Sequence, residues 1–198
     1  AFGKVVAGES QSASDMRAGD VILMTKQAGL EGTGIICSDY EDELSNVLSA
    51  DELAHGKAML DDVSVVKEGV IAGKIGTHGM HDVTEGGILG AVWEMCNISG
   101  LGVILDEDKI EVSEVTEKVC EHFSIDWKRL ISSGCMIIVA NPEKADDICA
   151  ELCHNGVMVS KIGRVTGSDE GLMLKKSDGN LEEIDPPKTD ELYRIMGK

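Results

Sequence analysis

The residues best suited to chemistry lie in Met80-His81-Asp82-Val83-Thr84-Glu85-Gly86-Gly87-Ile88-Leu89-Gly90. This polar, glycine-rich turn runs into an apolar, helix-patterned segment, Ala91 to Ile98. Thr84 or Asp82 is placed to cap that helix. Glu85 falls in its first turn, where a carboxylate suits the positive end of the helix dipole. Gly86 and Gly87 leave backbone N–H groups uncovered by side chains, and such a helix start can receive a phosphate. The same two glycines could instead allow the helix start to pack closely against a strand. Asp82 could bind a cation or polarise an acceptor, or it could close an Asx turn. His78 and His81 are candidates for substrate contact or proton transfer, weighed against the ordinary roles of a core or solvent-facing histidine. Glu85 would repel a phosphate at this helix start unless a magnesium ion lay between them.

A second glycine-rich stretch, Gly29-Leu30-Glu31-Gly32-Thr33-Gly34, reads as a turn before a short helix at Ile35, Ile36 and Cys37. Glu31 and Thr33 could line a cleft together with the Met80–Gly90 turn or serve turn chemistry alone. Trp93 and Met95 read as core or interface residues.

Composition narrows the ligands. A net charge of −18 opposes nucleic acid and anionic membranes. A phosphate-bearing ligand must therefore be held by local N–H groups, a few Lys or Arg, or a divalent cation. Only 3% of residues are aromatic, so the core must be aliphatic. No apolar run reaches the length of a membrane span, and no signal peptide is visible. Cys37, Cys96, Cys120, Cys135, Cys149 and Cys153 lack the spacing of a disulfide framework and read as reduced thiols of a cytoplasmic protein. Cys149 and Cys153 share a helix face beside His154. Zinc sites usually show tighter pairs and a second pair elsewhere, so no metal site is assigned.

The elements that must position these residues alternate. Residues 1–17 read as a linker or peripheral segment, and 18–198 as one domain with no second core. Strands are expected at Val21–Thr25, Val103–Leu105, Gly134–Ala140, Val157–Val165 and Gly171–Lys175. Leu181–Ile184 closes a hairpin with the last of these through Ser177-Asp178-Gly179-Asn180. Helices are expected at Glu41–Leu48, Asp51–Leu60, Val63–Ala72, Val112–His122, Pro142–His154 and Asp190–Met196. Ser49 with Glu52 forms a capping box. The expected fold is α+β, a layered domain whose hairpin favours a mixed sheet.

Gly79–Glu94 closely resembles the C-terminal-domain motif of the AIR synthase-related (PurM-like) superfamily. Gly19–Leu23, Thr25–Thr33, Gly134–Val139 and Gly156–Gly167 resemble further segments of that domain, so the likeness covers residues 18 to 197. The likeness is nearest to the hydrogenase-maturation branch or to uncharacterised AIR synthase-related proteins close to it, and this chain ends Arg194-Ile195-Met196-Gly197-Lys198 without the hydrogenase-maturation branch's terminal cysteine. The resemblance implies ATP- and magnesium-dependent activation of an amide, carboxamide or phosphate oxygen. It implies that Asp82, Thr84, Gly86 and Gly87 face a cleft, with Asp82 and His81 as catalytic candidates. An N-terminal domain with the aspartate-rich metal and nucleotide site would complete the cleft and form a homodimer. The acceptor would be a small molecule or a protein. On this reading Ala1 is an artificial or processed start and the fragment alone is inactive. A metabolite- or protein-binding module is the alternative.

Overall fold

A two-residue alternation along two neighbouring strands sets the layers. In β1 (Val21–Thr25) and β4 (Met136–Ala140), Ile22, Met24, Ile137 and Val139 point to one face of the sheet. Leu23, Met136, Ile138 and Ala140 point to the other. All of these side chains are buried, so both faces are covered. Each Ile or Leu taken fully from water contributes about 1.5–3 kcal/mol. The computed structural model that shows this describes residues 11–196.

The sheet also contains β2 (Gly79–Asp82), β3 (Gly102–Asp106), β5 (Val159–Thr166), β6 (Leu172–Lys175) and β7 (Leu181–Glu183). Its order is β2-β4-β1-β5-β3-β6-β7. The β3–β6 pair is parallel and the others are antiparallel, so the sheet is mixed, as expected. The helices are α1 (Leu30–Asp39), α2 (Glu41–Leu44), α3 (Ala50–Ala58), α4 (Val66–Ile75), α5 (Gly87–Ser99), α6 (Glu114–Phe123), α7 (Pro142–His154) and α8 (Glu191–Met196). Residues of α4 and α7 cover one face of the sheet and α5 covers the other. The capping box forms between Ser49 and Glu52, and Asn141 accepts the Lys144 N–H at 2.9 Å to start α7.

Four features differ from the sequence reading. A second core does exist: α1, α3, α6 and α8 bury Ile36, Leu53, Val119, Leu130 and Leu192 in a cluster of their own. Trp127 packs against both this cluster and the α5 face. The glycine stretch at 29–34 is no turn. It lies mostly inside α1, where a Cβ at Gly32 would stand 2.4 Å from Leu130 Cγ and one at Gly34 2.6 Å from Leu60 Cγ. Glycine serves close helix approach there. The helix expected at Val63–Ala72 runs three residues later, at Val66–Ile75. The stretch read as a turn at Met80–Asp82 lies in β2, which among the described residues is an edge strand paired with β4 alone.

Of the segment expected to be peripheral, residues 1–10 lie outside the described residues. Ala13–Asp15 form a short 3-10 turn capped by Ser12, and Met16 is buried in the α5-face core. Gln11 bonds Gly73 O at 2.9 Å and accepts the Thr77 N–H at 3.1 Å. Among the described residues, no helix is long and apolar enough to cross a membrane.

Candidate functional site

The corner from β2 into α5 needs two consecutive left-handed residues. Gly86 has φ 84° and Gly87 φ 63°, a conformation that costs an L-residue about 1–2 kcal/mol and glycine almost nothing. Neither Thr84 nor Asp82 caps the helix. Gly86 is the N-cap residue and has no side chain to cap with. A distant carboxylate does this work. Asp190, buried just before α8, accepts the Gly86 N–H on Oδ2 at 2.7 Å and the Leu192 N–H on Oδ1 at 2.9 Å. The helix start therefore does hold an anion, and the anion belongs to the chain itself.

This changes the reading of both glycines. The Gly86 N–H is taken by Asp190, and the Gly87 N–H bonds Thr84 O at 3.2 Å. A Cβ on Gly87 would stand 2.5 Å from Lys128 O and 2.9 Å from Arg129 Cα. Gly87 thus lies flat against the backbone of the 127–129 turn.

Three of the expected residues lie at the sheet edge. His81, Asp82 and Thr84 lie at the end of β2 and in the turn that follows, with Asp82 and Thr84 exposed. His81 Nε2 lies 2.9 Å from Glu94 Oε2 on α5, and its Nδ1 lies 2.6 Å from Asp82 O. The imidazole is held in one orientation between strand and helix. Glu85 turns away from the helix start and accepts the Tyr193 hydroxyl at 2.8 Å. That hydrogen bond and the Glu85 charge push the Tyr193 hydroxyl above its ordinary pKa. Burial pushes the Asp190 carboxyl up, against the lowering effect of the Leu192, Gly86 and Ile131 N–H groups.

Other expected residues lie elsewhere. His78 stands at the opposite end of β2, roughly 13 Å along the strand from Asp82. Its Nδ1 is 2.8 Å from the buried Asp20 Oδ2. Thr33 is fully buried and donates to Thr116 Oγ1 at 2.9 Å, so it lines no cleft. Glu31 has a buried Oε2 with no partner among the described residues. Met95 is core and Trp93 is half-buried. Cys149 and Cys153 do share α7. Among the described residues, no group of three His, Cys, Asp or Glu side chains could hold a metal ion.

Sequence reasoning missed Glu94, Asp190 and Tyr193. Asp190 carried a partial signal, since Asp before a helix is a common cap, and it does cap α8 through Leu192. Nothing local announces a bond to Gly86 across 104 residues.

The chain is thus a mixed sheet covered by helices on both faces, with a glycine helix start beside its edge strand. The family model for the AIR synthase related protein, C-terminal domain, matches residues 17–175, and the chain belongs to that family. A hydrogenase expression/formation protein of Methanocaldococcus jannaschii is 24% identical over 201 residues, covering 98% of this chain and 56% of that protein. The carbamoyl dehydratase HypE of Rhodobacter capsulatus is 24% identical over 196 residues, covering 98% of this chain and 55% of that protein. A solved structure of HypE in complex with ATP is similar in fold, with TM-score 0.73 and 18% identity over 96% of this chain and 57% of that one. The chain spans about half the length of the curated relatives it matches.

Proposed function

We propose that this C-terminal domain belongs to a HypE-like, ATP-dependent enzyme and that its β2–α5 corner forms one wall of the ATP and substrate cleft. The observation that carries the reading is the solvent-facing group of His81, Asp82, Thr84 and Glu94 at the sheet edge. The relatives supply the reaction class: one is a carbamoyl dehydratase, and one similar structure holds ATP. The reaction would be phosphoryl activation of an amide or carboxamide oxygen, with a small-molecule or protein acceptor. Polypeptide beyond this domain would supply the facing wall and the homodimer contact.

The residues fit part of a nucleotide site. The exposed Asp82 carboxylate and Thr84 hydroxyl can meet a magnesium ion, with its remaining ligands from outside this chain. Such an ion would neutralise phosphate charge. Glu94 and the Asp82 carbonyl occupy both ring nitrogens of His81, so proton exchange with an acceptor would require one of them to let go. The Gly86 and Gly87 amides do not fit a phosphate while Asp190 and Thr84 hold them. That observation favours the second reading, a metabolite- or protein-binding module.

One experiment separates the two. The full-length gene product is assayed for ATP turnover with magnesium, beside its Asp82→Asn variant and the isolated 198-residue chain. The enzyme reading expects turnover in the full-length protein, a loss of about 10²-fold in the variant, and none in the isolated chain. An unchanged rate in Asp82→Asn, or turnover by the pure isolated chain, overturns it.

A further inference from the structure

Residues 185–196 lie beyond the stretch matched by the family model, which ends at 175. They fasten the candidate corner from outside. Asp190 takes the Gly86 N–H and the Leu192 N–H on one buried carboxylate. Tyr193 donates to Glu85 one residue before the helix cap. Pro187 lies against the same two turns, with its Cβ 3.1 Å from where a Gly86 Cβ would stand and 3.6 Å from that of Gly90.

The segment is itself anchored at its far end. Leu192 and Ile195 are buried in the helical core. Tyr40 donates to Ile195 O at 3.3 Å, Glu191 accepts the Asp126 N–H at 3.3 Å, and Arg129 donates to Asp185 O at 3.2 Å. It therefore ties the helical core to the sheet-edge corner, two regions also bridged by Trp127 and by the contact of Gly87 with the 127–129 turn.

The corner needs such a tie. Two adjacent glycines lose more backbone freedom on ordering than any other pair, and Gly86 brings no cap of its own. We propose that residues 185–196 are a strap in which Asp190 and Tyr193 are positioning residues, holding the β2–α5 corner in the form that presents Asp82, Thr84 and His81. The strap also keeps external anions from the start of α5, because the Asp190 carboxylate fills that place. The inference deepens the cleft-wall reading and, for its effect on ligands, rests on it.

The test is backbone amide hydrogen exchange on the protein and its Asp190→Asn and Tyr193→Phe variants. Asparagine leaves one acceptor oxygen where two now serve two N–H groups. Exchange at Gly86–Gly90 and Glu191–Met196 should rise about tenfold or more, while β1 and β4 amides stay as in the wild type. Tyr193 is exposed, so its phenylalanine variant keeps the fold. It should raise exchange at Glu85 and Gly86 alone. Added inorganic phosphate should restore Gly86 protection in Asp190→Asn and leave the wild type unaffected. Unchanged exchange at the corner in both variants overturns the strap. So does a uniform rise that includes β1 and β4, which marks Asp190 as a general fold determinant. A corner that loosens without any response to phosphate supports the strap as a tie and overturns its exclusion of external anions.

Discussion

Gly87→Ala isolates the physical reason for the second glycine of the corner. The new Cβ would stand 2.5 Å from Lys128 O, roughly 1 Å inside ordinary contact, and the opposing atoms are backbone. Overpacking of this kind costs about 1–3 kcal/mol. The left-handed φ of 63° adds about 1–2 kcal/mol for any L-residue. The total is about 2–5 kcal/mol, a large part of the ~5–15 kcal/mol that holds a domain folded. Gly100 supplies the control, because its φ of 69° is nearly the same and nothing lies within 4 Å of its missing Cβ. Gly100→Ala should cost only the conformational ~1–2 kcal/mol. Urea unfolding of both variants reads the difference as a shift in midpoint, about 1 M or more further for Gly87→Ala. Equal midpoints would refute the close approach of the α5 start to the 127–129 turn.

Further expectations concern the rest of the fold. The Lys118 ammonium and the Ser49 backbone and hydroxyl donors hold the Glu52 carboxyl at about 2, below its ordinary 4.5. A carboxyl lowered on folding stabilises at pH above its unfolded value and ceases to do so as pH falls from about 4.5 toward 2. The urea-midpoint gap between wild type and Glu52→Gln should therefore shrink from pH 6 to pH 2.5; a constant gap would refute the pairing. Burial raises the Cys37 thiol to about 11, Cys96 and Cys120 to about 12, and Cys135 higher still. A thiol reagent at pH 8 should label Cys153 first, Cys149 slowly, and these four only on unfolding; rapid native labelling of three or more would contradict their burial. Gly32→Ala should destabilise by about 1–3 kcal/mol despite alanine's better helix propensity, since its Cβ meets Leu130. A stabilised variant in thermal melts would show that Leu130 can move aside.

Much of the fold was legible where a single element carries its own pattern. β4 reads as Met-Ile-Ile-Val-Ala because it is buried on both faces, and α7 announces itself by Asn141 and Pro142. β2 was hidden because Gly-Met-His-Asp has neither alternation nor β-branched residues, and only pairing with β4 makes it a strand. Gly32 and Gly34 look like turn residues because local sequence cannot show Leu130 and Leu60 pressing on them. At the site, the anion-binding character of the α5 start was readable from Gly86. The identity of its anion was not, since Asp190 reaches it through tertiary folding alone.

The central claim, that the β2–α5 corner faces nucleotide, is tested most directly by amide chemical-shift mapping of the full-length gene product with and without magnesium-ATP. The account predicts that the largest shifts within this domain fall at His81–Glu85 and around Glu94. Nucleotide binding that leaves those amides unmoved would contradict it.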